Sequence, residues 1–118
     1  MSARGILGWL FKRLMRSPLE REREIVQRLR ELSGTIDEAP EGLTHYVLRG
    51  ELNLDRGEHT MAIADFERAL ELAENLDERK GWLVLEQVMR DRALYGLKIA
   101  RRALRQPPNL RPVANVEA

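Results

Sequence analysis

Apolar residues recur along this chain at three- and four-residue intervals, seldom at alternate positions, from Ile6 to Leu104. That period places them on one side of a helix, so the pattern predicts a series of amphipathic helices and no sheet. In residues 5–15, "GILGWLFKRLM", a step of 100° per residue gathers Ile6, Leu7, Leu10, Phe11, Leu14 and Met15 on one half of the circle. Lys12, Arg13 and Arg16 fall on the other half, with Trp9 among them or at the border. "SPLE" at 17–20 then reads as a helix start: Ser17 as N-cap, Pro18 in the first helical position, Glu20 closing a capping box. Leu19, Ile25, Val26, Leu29 and Leu32 supply the stripe of that helix. Gly34 is its expected stop, with an acidic loop, "GTIDEAPEG", to follow.

A helix is predicted from Leu43 to Asp55, a break at "DRGEH", and a further helix from about Thr60 to Glu74. "NLDE" supplies the next capping signal, with Asn75 as N-cap. Beyond it the chain stays helix-compatible to Arg105, where Gln106, Pro107 and Pro108 end it. Trp82, Leu85, Met89, Ala93, Leu97, Ala100 and Leu104 would form one buried stripe along that length. The chain therefore divides into an amphipathic segment (1–16), a helical domain (17–106) and a flexible tail (107–118) with little apolar periodicity.

Composition agrees with an all-α fold. Leu, Arg, Glu and Ala dominate the 118 residues, and aromatics make up only 5%. With no cysteine, neither a disulfide frame nor a thiolate metal site is available, which fits a cytoplasmic setting. The net charge of +1 conceals a division: residues 1–30 carry +5, residues 31–79 carry −9 and residues 80–118 carry +5. An acidic middle between basic ends draws neighbouring helices together and leaves two basic surfaces for anionic partners.

The most specific pattern lies in residues 43–76. Gly50 and Ala62 let two antiparallel helices approach closely, Gly57 permits the turn between them, and Phe66 fills the groove beside Ala69. In their spacing these five positions, with "AIADFERALEL", resemble a tetratricopeptide repeat. The chain departs from that repeat at Tyr46 (usually Trp), Arg49 (Leu), Asn53 (Tyr) and Glu74 (Pro). A second copy 34 residues on is hinted at by Gly96, Ala103, Leu104 and Pro108, but Val84, Asp91 and Ala100 do not fit it. Residues 78–105 are therefore one long helix or a degenerate second hairpin. An isolated repeat needs flanking helices as caps, and those before and after it are available.

The resemblance implies a binding face on the first helix of the repeat, at Thr44, Val47, Glu51, Leu54 and Asp55. Glu51 and Asp55 would repel a terminal carboxylate, so a basic or apolar helix is the better-matched occupant, with the chain's own N-terminal helix or a second copy as further candidates. Nothing in the sequence suggests catalysis. His45 and His59 lack ligand spacing, no glycine-rich phosphate loop occurs, and Asp37 and Glu38 fall in the acidic loop. The expectation is a non-enzyme without cofactor or metal.

For the opening segment, three roles compete. It lies on an anionic membrane surface, with Trp9 at headgroup depth and Arg4, Lys12, Arg13 and Arg16 facing lipid; it docks on another protein; or it packs on its own domain. An organelle import sequence ranks below these, because Ser and Thr are scarce in it. Its apolar run is too short to span a bilayer, which takes about 20 residues. Peripheral attachment to the inner face of a membrane is thus expected of a protein-binding adaptor. The alternative is a nucleic-acid-associated protein using the basic patch Lys98, Arg101, Arg102 and Arg105. The helix dipole accounts for basic residues there, and no stacking aromatic accompanies them.

Overall fold

Ser17 caps the first long helix as its sequence requires, its Oγ accepting the Glu20 N–H at 3.2 Å. The computed structural model describes Gly5, Leu7, Gly8 and residues 17–76 and 84–107; all the regular structure in it is helical. Helix α1 spans Pro18–Glu38, so it passes through Gly34 and continues for a further turn. The expected stop is overridden because Ile36, one turn beyond Leu32, is buried in the core. Burying an isoleucine stabilises by about 1.5–3 kcal/mol, whereas a mid-helix glycine costs about 1 kcal/mol. Only residues 39–42 remain as loop, pinned where the Tyr46 hydroxyl donates to the Pro40 carbonyl at 3.0 Å.

Helices α2 (Leu43–Asp55) and α3 (His59–Glu74) form an antiparallel hairpin across residues 56–58. Gly57, at φ 77°, makes that turn. Asn75 is not the N-cap expected of it: its φ of −87° and ψ of −1° are helical, and it closes α3 as C-cap. The last long helix, α4, is seen over Val84–Arg105, and it passes Asp91 without a break, so this stretch contains no second hairpin. Trp82, the rest of residues 77–83, and residues 108–118 lie outside the described residues.

Phe66 is fully buried and lies between Gly50 of α2 and Gly96 of α4. A Cβ on Gly50 would sit 2.7 Å from Phe66 Cε1, and one on Gly96 would collide with Cζ. Val47, Ala62, Ala69 and Ala93 pack in the same core, small residues that let three helices close on one ring. α3 thus holds α2 on one side and α4 on the other, while α1 packs on α2 and does not approach α4. On α4 the buried stripe runs through Met89, Ala93, Leu97, Ala100 and Ala103, but Leu85 is 57% exposed. With 22 residues against 16 in α3, α4 is about 9 Å longer, and its first turns overhang their support.

Gly96→Ala is expected to destabilise by about 1–3 kcal/mol, although alanine is the better helix former by about 1 kcal/mol. Urea denaturation checks the sign, and adding Phe66→Leu should return part of the loss by vacating the ring's space.

Candidate docking groove

Because α2 and α4 each run antiparallel to α3, they lie parallel to one another, and a groove with a volume of about 670 Å³ opens between them. Glu51, Leu54 and Asp55 line it from α2, and Val88, Asp91, Arg92, Tyr95 and Ile99 from α4. Tyr95 is 68% exposed and Val88 44%, unusual for large side chains on one line of a helix. No described helix covers this apolar strip, and such a strip has the shape and chemistry to seat another helix.

The polar groups of the groove differ in their availability. Arg92 donates from Nε to Glu51 Oε2 at 3.0 Å and from Nη2 to Oε1, tying α4 to α2 across the floor. Those hydrogen bonds raise the Arg92 guanidinium pKa above its ordinary range and neutralise Glu51. Asp55 and Asp91 are the other acidic groups at the lips, both exposed, with Arg90 4.0 Å from Asp91 Oδ1.

Of the five positions expected on the binding face, Glu51, Leu54 and Asp55 line this groove and two do not. Val47 is fully buried, held by the gain of packing a valine in the core around Phe66, so it is not a contact residue. Thr44 is half-buried and stands outside the lining. The groove follows only the last two turns of α2. Its opposite wall was not anticipated, yet Val84, Val88, Tyr95 and Ile99 form a second apolar line on α4, at spacings of four, seven and four beside the buried stripe.

On the other side of α2, the departures at Arg49 and Asn53 prove to be one network. Arg49 grips Asp65 of α3 with both forks, Nη2 to Oδ1 at 2.7 Å and Nε to Oδ2 at 2.9 Å. Its third nitrogen donates to Ser33 Oγ of α1 at 3.2 Å, and Asn53 Nδ2 reaches Asp65 at 3.5 Å. Side-chain hydrogen bonding to Asp65 raises the Arg49 pKa despite partial burial. Arg56 and Glu22, 2.7 Å apart and largely shielded from solvent, join α1 to the end of α2.

Lys98, Arg101, Arg102 and Arg105 are all exposed on one side of α4, and Arg101 pairs with Glu67 at 2.9 Å. His59 is buried at the start of α3 and His45 is half-buried on α2. Among the described residues no His, Cys, Asp and Glu side chains gather as metal ligands. Of the opening segment, Leu7 is described and is 65% exposed. Ile6, Trp9, Leu10, Phe11, Lys12, Arg13 and Leu14 lie outside the described residues. No described helix is long and apolar enough to cross a membrane. No protein-family model, curated protein or solved structure matches this chain.

Asp65→Ala strands the Arg49 guanidinium among packed helices and should cost about 2–4 kcal/mol. Arg101→Ala, at an exposed pair, should cost less than about 1 kcal/mol. Chemical denaturation of the two variants side by side measures the contrast.

Proposed function

We propose that this chain is a non-catalytic, tetratricopeptide-like adaptor. It holds a basic, apolar helix of a protein partner in the α2–α4 groove and attaches to an anionic membrane surface, on the cytoplasmic side, through residues 1–16. The observation that carries the adaptor role is the groove itself: apolar walls open to solvent, with Asp55 and Asp91 at the lips. Acidic lips attract a basic helix and repel a carboxylate terminus. The likeness to the repeat is supported by packing, since Gly50, Ala62, Phe66 and Ala69 meet in the hairpin core and Gly57 makes its turn.

Membrane attachment is supported by the sequence of the first 16 residues, which hold four basic side chains and no acid. Each basic group near an anionic surface contributes about 1 kcal/mol, and the apolar half-circle adds insertion. In a flotation assay the full chain should rise with anionic vesicles and less with neutral ones, and a chain lacking residues 1–16 should stay behind. Equal recovery of both chains in the soluble fraction overturns the membrane role. In affinity capture, Asp55→Lys with Asp91→Lys should lose a partner that the unaltered chain retains, and unchanged recovery would remove the groove from the binding role.

A further inference from the structure

We infer that the occupant of the α2–α4 groove is residues 4–16 of a second copy of the chain, so that the protein self-associates through its N-terminal segments. This rests on the groove proposed above as the binding face and names its partner; the segment's apolar face then sits in the groove or on lipid, not both at once, so the two uses compete.

Charge is the first argument. With Glu51 paired to Arg92 and Arg90 4.0 Å from Asp91, the groove presents Asp55 in full and Asp91 more weakly. The segment offers Arg4, Lys12, Arg13 and Arg16, and its sequence contains no acid to oppose them. Length is the second. From Val88 to Ile99 the wall of α4 extends about 16 Å, and a helix from Gly5 to Met15 is about 15 Å long. Docked there, Leu7, Leu10, Phe11 and Leu14 would cover the exposed faces of Val88, Tyr95 and Ile99.

Two observations favour a second copy over the chain's own groove: α1, to which the segment is joined, packs on α2 and makes no contact with α4, and Leu7 is 65% exposed within the single chain. Two copies exchanging segments would fill both grooves and close a two-fold dimer.

Sedimentation velocity and equilibrium on the full chain test this with two variants: Leu7→Glu with Leu10→Glu in the segment, and Asp55→Lys with Asp91→Lys at the lips. The unaltered chain should form a concentration-dependent dimer over the micromolar range, and each variant should be monomeric with an unchanged helical circular-dichroism spectrum. Mixing the two variants should restore a 1:1 species, because one keeps an intact groove and the other an intact segment. A monomeric unaltered chain, or a dimer that survives in both variants, overturns the inference.

Titrating a fluorescent peptide of residues 1–16 onto the segment variant separates the two levels of the claim. Saturable binding that weakens at least about tenfold when Asp55→Lys and Asp91→Lys are added supports the inference. Binding of a generic leucine–lysine amphipathic helix but not of this peptide overturns it and spares the groove. Binding of neither removes the groove as well.

Discussion

The distance between α2 and α4 is set by the thickness of one phenyl ring. Phe66 projects from α3 with no exposed surface, and both helices that cover it do so through a glycine. A methyl group at either position would occupy space the ring already fills, so the three helices form a single packing unit and the groove width follows from it. Ala62, Ala69, Ala93 and Ala100 extend the same arrangement along the helices, keeping backbones close where larger side chains would separate them.

Around that unit, polar contacts do different work on the two sides of α2. Facing α1 and α3, the Arg49–Asp65 fork with Ser33 and Asn53 is partly sheltered from water, and its geometry fixes how the three helices meet. Facing α4, the Glu51–Arg92 pair is more exposed and adds less stability, but it removes one negative charge from the groove. Of the acids in residues 31–79, only Glu51 and Asp55 line the groove, and Asp91 joins them from α4.

α4 is the helix that turns a hairpin into a groove. Its buried stripe completes the core, and a second apolar line beside it has no described partner helix. In stacked helical repeats such a line is covered by the next repeat. A short, basic, apolar helix would cover it instead under the proposal made above, and the chain carries a segment of that composition at its own start.

Local signals were enough to determine the all-α character, the bounds of Leu43–Asp55, the glycine turn at Gly57 and the end of α4 at Arg105. Capping groups, glycine and proline act on neighbouring backbone, so their effect is visible in the sequence alone. Glu51, Leu54 and Asp55 were expected on a binding face only through the resemblance to a repeat's first helix, and they line the groove. What faces them was not legible, since Val88, Tyr95 and Ile99 become a wall only when Phe66 brings α4 alongside. Val47 and Leu85 show the same dependence in opposite directions: one apolar residue enclosed where exposure was expected, the other exposed where burial was expected. Glu38 replaces Gly34 as the end of α1 because the burial of Ile36 outweighs a local preference. Periodicity determines which residues share a side of a helix, but whether that side is covered is decided by the lengths and crossing points of the helices around it.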